Sequence, residues 1–287
     1  MKWRTVLEAL EARLAELARG GIQTLNVASD PELAQLLASF PAGEGAAPAA
    51  EAPASPELTP APPRAPPVPE IPQAEPAGLA DRAPPLDSGG SAATIQAKHP
   101  SELQTLESLH FHFRDCQRCA LAGSRTKLVF GVGHDRPRLM FVGEGPGQEE
   151  DRQGLPFVGR AGALLTAGIL ALGLTREDVY IANMVKCRPP GNRNPAPEET
   201  AACFPILSRQ MELLDPALIV TLGNVPLKAL NPSARGITAE RGRVFEYRQW
   251  PVLPTFHPAY LLRNANAIDS WWLDLKQAFQ LAYGSGG

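Results

Sequence analysis

Four short apolar runs punctuate the second part of the chain, at residues 139–143, 179–182, 218–222 and 252–256. Each is apolar at successive rather than alternate positions, as expected of strands buried on both faces of a sheet. Between them apolar residues recur at helical spacing over 160–172, 197–214 and 224–230, and a last helix runs from about Trp271 to Tyr283. Strand alternating with helix predicts a central, largely parallel four-stranded sheet covered on both faces. Upstream, residues 101–113 read as a helix with Leu103, Leu106, Leu109 and Phe113 on one side, ended by the Cys116-Gln117-Arg118-Cys119 turn.

The first part of the chain is patterned differently. Trp3, Val6, Leu7, Leu10, Leu14 and Leu17 fall at helical spacing before Gly20-Gly21, and Asp30-Pro31 caps and opens a second short helix. From 41 to 100 the periodicity stops: half of the chain's 30 prolines fall here, and no Phe, Trp or Tyr does. Such a segment buries too little apolar surface to offset its ordering entropy. Three parts are therefore expected: a short helical segment over 1–40, a Pro/Ala-rich disordered linker over 41–100, and a globular domain over 101–287. The helical segment is too small for a core of its own, so docking on the main domain, self-association or binding a protein partner is expected of it. Its Gln35-Leu-Leu-Ala-Ser-Phe40 loosely resembles a bacterial sliding-clamp-binding peptide, and a plain amphipathic helix is the simpler reading.

Charge and cysteine usage narrow the functional classes. No apolar run is long enough to span a membrane. Glu8, Glu11, Arg13 and Glu16 interrupt the N-terminal pattern, so it does not read as a secretion signal, and a reducing cytoplasm is expected. Residues 101–287 carry 20 Lys/Arg against 18 Asp/Glu, a slightly basic balance that permits contact with phosphates. All four cysteines lie there: Cys116 and Cys119 as a CxxC pair, Cys187 after 67 intervening residues, and Cys203 after 15 more. One tight pair and two distant cysteines suit a four-thiolate site, although spacing does not choose between zinc and an iron–sulfur cluster, and free buried cysteines are the plain alternative.

The residues just after each apolar run carry the chemistry. The first run leads into Gly143-Glu-Gly-Pro-Gly147, the second into Asn183-Met-Val-Lys-Cys187, the third into Gly223-Asn224 and the fourth into His257-Pro-Ala-Tyr-Leu261. If the strands are parallel, their carboxyl ends bring Glu144, Asn183 and His257 to one crevice, where open α/β sheets bind ligands. Glycine turns, an amide, a carboxylate and an imidazole suit a small planar polar ligand. Taken singly, each has a duller explanation as a turn, a cap or a structural histidine.

With Pro156-Phe-Val-Gly159 added, these motifs resemble the family 4 uracil-DNA glycosylases, the iron–sulfur-containing bacterial and archaeal type. The resemblance spans about residues 105–283 in order and leaves residues 1–100 uncovered. It implies a DNA repair enzyme, nucleoid-associated in the cytoplasm, that flips uracil out of single- or double-stranded DNA and hydrolyses its N-glycosidic bond. It also implies an α/β fold, a three-layer α/β/α sandwich around that sheet, and a structural 4Fe-4S cluster on Cys116, Cys119, Cys187 and Cys203. A rival branch of the superfamily has an altered first motif and a His-bearing insertion after the asparagine motif, and neither change is present here.

By the same resemblance, Phe157 stacks on the uracil and Asn183 reads its O4 and N3–H. Gly143 and Gly145 let the base lie on the backbone, and Glu150 walls off the thymine methyl group. His257 and the amides of the glycine turn meet charge on the departing base, while Glu144 positions water or steadies the sugar cation. Related family 1 enzymes carry Asp at the position of Gly145. Tyr260, Leu261, Leu262 and Arg263 are expected to wedge into the DNA, with Arg118, Arg125, Lys127, Arg188 and Arg193 as candidate phosphate contacts. A catalytically silent, metal-stapled DNA-binding module and an iron–sulfur redox protein are the readings from other classes.

Overall fold

The four apolar runs become four parallel strands inside a six-stranded mixed sheet. A computed structural model describes residues 99–284; the expected N-terminal helices and nearly all of the linker lie outside them. In chain order the elements are α1 (Leu106–Phe113), β1 (Val132–Gly133), β2 (Leu139–Gly143), α2 (Gln148–Gln153), α3 (Arg160–Ala171), β3 (Tyr180–Asn183), α4 (Pro197–Leu214), β4 (Leu218–Leu222), α5 (Asn224–Leu230), α6 (Ile237–Glu240), β5 (Phe245–Tyr247), β6 (Trp250–Thr255), α7 (Pro258–Leu261) and α8 (Ile268–Tyr283), joined in places by short 3-10 turns.

The sheet order is β1-β3-β2-β4-β6-β5. The four inner strands are parallel, as expected, and the two edge strands run antiparallel to their neighbours. The edges correct the four-stranded expectation. β1 has only two residues, both exposed, and β5 only three, so neither is long enough to show an apolar period. β5 returns to β6 through a tight turn in which Arg248 takes a left-handed φ of 54°. The helix expected over 101–113 is also divided. A 3-10 turn spans Pro100–Glu102, and Thr105 then caps α1, exchanging hydrogen bonds with Ser108 so that the helix starts afresh at Leu106.

Strand alternation splits each apolar run between two cores. Leu139 and Phe141 of β2 face the side covered by α3 and α8, with Leu165, Ile169, Trp271 and Leu275. Met140 and Val142 face the other side, with Leu207, Met211 and Leu214 of α4 and Leu230 of α5. Trp271 thus packs in the core. A third cluster joins α1 and α4 through Leu109, Phe113, Ile206, Cys187 and Cys203.

β3 lies on one side of β2 and β4 on the other, so the chain reverses its direction of travel across the sheet at the carboxyl end of β2. That is where an open α/β sheet leaves a crevice. No helix among the described residues is long and apolar enough to cross a membrane.

Candidate functional site

β2 and β3 are in register with Gly143 opposite Asn183, which brings both strand exits to the same level. The Asn183 side chain lies over Gly143: a Cβ added there would come 2.4 Å from Asn183 Oδ1 and 2.5 Å from Phe157 Cζ. Only glycine lets amide and ring come together. Asn183 is 1 % exposed, and neither its Oδ1 nor its Nδ2 has a hydrogen-bond partner. An unsatisfied buried polar group costs about 1–3 kcal/mol, so an amide with both ends open calls for a ligand.

Asn183, Glu144, Gly145, Glu150, Phe157 and His257 line one pocket of about 420 Å³, with Arg263 and Tyr260 at its rim. Phe157 forms one wall, its ring 5.5 Å from that of His257. It holds a left-handed φ of 53°, a conformation that costs a bulky residue about 1–3 kcal/mol.

His257 precedes α7, and its Nδ1 accepts a hydrogen bond from the Ala259 amide at 3.1 Å. Because Nδ1 is an acceptor there, the neutral ring carries its proton on Nε2. Burial, with a smaller contribution from Arg263, pulls its pKa down to about 4, so the ring is a neutral donor at physiological pH. Glu144 is half-buried, and burial raises its pKa above the usual glutamate value.

Two members of the acidic run after the glycine turn, Glu150 and Asp151, fold inward, while Glu149 stays exposed and pairs with Arg152. Glu150 accepts from the amides of Gly147, Val158 and Gly159 at 3.1, 2.9 and 2.9 Å. Asp151 is buried and accepts from Thr126 N at 2.8 Å. The Gly147 amide is thus already engaged, which removes it from the donors expected to meet charge on a departing base.

Two other groups of expectations change. Leu261 is 1 % exposed and belongs to the core beneath α3, because the short helix α7 turns it inward; it is not a wedge. Leu262 and Tyr260 are the exposed members, at 36 % and 40 %, and Tyr260 is stacked on Phe256. Among the candidate phosphate contacts, Arg125 is turned to the cysteines, donating to Cys116 O at 2.7 Å and lying 3.3 Å from Cys187 Sγ. Arg193 is held by both oxygens of the buried Glu199 at 2.7 and 2.8 Å, which neutralises it. Arg188 bonds to Asn192 Oδ1, Arg118 lies over the Phe113 ring, and Lys127 is exposed.

The four cysteines line one narrow cavity, with Arg125 and Lys186 beside them. Burial pushes the Cys203 thiol up to about 12 and raises Cys187 as well, so deprotonating them requires a strong cationic partner. Lys186 is fully buried and donates to Asn183 O at 2.9 Å. Burial draws its pKa down to about 8 against the pull of Cys203 and Cys187. A buried cation among four thiols suits a group that makes those thiols anionic.

A profile of the uracil DNA glycosylase superfamily matches residues 130–276. The type-4 uracil-DNA glycosylase of Thermotoga maritima is 48 % identical over 163 residues, covering 56 % of this chain and 85 % of the relative. That of Archaeoglobus fulgidus is 37 % identical over 187 residues, 62 % of this chain and 94 % of the relative. The chain belongs to the type-4 uracil-DNA glycosylases. A type-5 enzyme of Pyrobaculum aerophilum is also similar, at 32 % identity over 148 residues, 46 % of this chain and 65 % of the relative.

Two residues of this type-4 member have roles that the motifs did not assign. Lys186 stands between Val185 and Cys187 on a buried strand exit, and a charge embedded in an apolar run was its one signal. Arg176, which donates to Pro156 O and Phe157 O, sits in an ordinary polar turn that gave none.

Proposed function

We propose that this protein excises uracil from DNA by hydrolysing the N-glycosidic bond, leaving free uracil and an abasic site. The observation that carries the reading is the open amide of Asn183 on the pocket wall. Its donor and acceptor match uracil O4 and N3–H and mismatch cytosine, whose N3 accepts and whose N4 donates. A base stacked in a duplex cannot reach a pocket of this kind, so the nucleotide is flipped out, at an unstacking cost of about a few kcal/mol. Phe157 stacks on the base. Glu150, anchored by three amides, is a fixed wall toward the 5-position, where thymine bears its methyl group.

Bond cleavage develops negative charge on the base and positive charge on the sugar. The Nε2–H of neutral His257 donates to uracil O2 as that charge forms, while Glu144, ionised, steadies the sugar and orients water. Uracil leaves as an anion, so no strong acid is needed. Leu262 and Tyr260 fill the gap in the strand.

Cys116, Cys119, Cys187 and Cys203 would hold a 4Fe-4S cluster. The shared cavity and the cationic side chains beside it support that assignment. Held there, such a group would tie α1, the Asn183–Cys187 exit and α4 together.

The deciding experiment is release of free uracil from a labelled oligonucleotide, with Glu144→Gln and His257→Ala beside the wild type. Each variant is expected to lose about 100-fold or more in kcat. Near-wild-type excision by both would overturn the assignment of roles. No uracil release by the wild type would overturn the function.

A further inference from the structure

We propose that Arg176 is a positioning residue for Phe157, acting with Glu150 to grip the Pro156–Gly159 turn by opposite charges. Arg176 donates to Pro156 O at 2.6 Å, to Phe157 O at 2.9 Å and to Thr166 Oγ1 of α3 at 3.1 Å. Glu150 accepts from the next two amides, Val158 and Gly159. Four consecutive residues are thus held, the first two by a cation on their carbonyls and the next two by an anion on their amides. Charge-assisted hydrogen bonds of this kind are the strong ones.

The grip has a purpose because Phe157 sits in the left-handed region, which an aromatic residue leaves unless its surroundings prevent it. Gly162 adds to the constraint: a Cβ there would meet Phe157 C and O at 2.1 Å, so the first turns of α3 run directly under the strained carbonyl. The arginine is anchored in turn. Asp178 accepts from Thr175 N and Thr175 Oγ1, both at 2.7 Å, fixing the turn that presents Arg176. A guanidinium is the group for this task, because its planar fork spans two neighbouring carbonyls and an ammonium does not.

The inference rests on the reading of Phe157 as the platform under the base. If Arg176 acts through Phe157, its removal lets the turn relax and tilts the ring away from His257 and Asn183. Misplacing a bound reactant by about 1 Å costs about 100-fold in rate.

The test is a double-mutant cycle on the full-length, cluster-containing protein, reading uracil release and inhibition by free uracil. Arg176→Met is expected to lower kcat/KM about 10- to 100-fold and to weaken inhibition by uracil about tenfold. In a Phe157→Ala background the same change is expected to do less than about twofold, because the ring it positions is gone. Arg176→Lys is expected to fall between wild type and Arg176→Met. If Arg176→Met does not fold, Arg176→Lys carries the cycle.

Losses that multiply in the double variant, or a change in melting temperature with unaltered uracil inhibition, would overturn the proposal and leave Arg176 a scaffold residue. Failure of the underlying reading looks different: Phe157→Ala itself would then keep kcat/KM within about twofold of wild type, whatever Arg176 does.

Discussion

The two ends of one five-residue strand exit place opposite demands on their surroundings. At Asn183 a neutral amide is buried with both polar atoms unpartnered. At Lys186 and Cys187 a buried cation meets thiols that burial holds protonated. The first demand is met by something that comes and goes, since a permanent partner would block the pocket. The second asks for something that stays, because an uncompensated charge in the interior is among the most costly features a fold can carry. The Lys186 Nζ to Asn183 O hydrogen bond joins the two, so the segment proposed to read the base is tied to the segment that borders the cysteines.

The largest effect tests the pocket end. Asn183→Leu is expected to reduce uracil excision about 100- to 1000-fold. It is also expected to leave stability unchanged or raise it by up to about 2 kcal/mol, because it removes two unsatisfied polar atoms. Activity assays alongside urea unfolding decide this. A destabilisation like that of an ordinary core disruption would mean that the amide is structural and the comparison false.

At the other end, Lys186→Met is expected to act with opposite sign in the two forms of the protein. In metal-stripped protein, removing a buried cation raises stability by about 1–3 kcal/mol. In cluster-containing protein it removes the charge facing the thiolates, so a chelator bleaches the visible absorbance several-fold faster. A variant that is less stable in both forms would show Lys186 to be needed for packing alone.

How much of this was legible beforehand depends on the length and periodicity of each element. The four central strands were readable because each is a continuous apolar run, and their parallel pairing placed Glu144, Asn183 and His257 in one pocket as expected. The edge strands were not, since two or three half-exposed residues carry no period. Leu261 and Leu262 are adjacent apolar residues, and only the turn of α7 assigns one to the core and the other to the surface. Glu150 was expected at the pocket wall by resemblance alone; nothing in the acidic run shows that Glu150 and Asp151 turn inward, which they do because the amides of Val158 and Thr126 need acceptors. Arg125 and Arg193 were plausible phosphate contacts by composition. Their partners, Cys187 and Glu199, become visible only once the chain is folded.

The smallest effect concerns His257, whose burial serves the pocket at some cost to the fold. Its pKa is about 4 in the folded protein and about 6.5 when unfolded. Between those values the unfolded chain binds more protons, so stability is full above pH 6.5 and falls as pH drops toward 4. The limiting slope is about 1.4 kcal/mol per pH unit. Solvent at the pocket mouth trims it, since the residue is only half-buried. Glu144 opposes the trend, because a carboxyl whose pKa is raised on folding favours the folded state as pH falls. The informative quantity is therefore the difference between wild type and His257→Asn, in which the carboxylates cancel. Asparagine can still cap α7 through its side-chain oxygen. Wild type is expected to lose about 1–2 kcal/mol more than the variant between pH 6.5 and 4.5 in urea titrations. Parallel stability curves would mean that the imidazole titrates as though exposed, and that it is not the neutral donor the pocket requires.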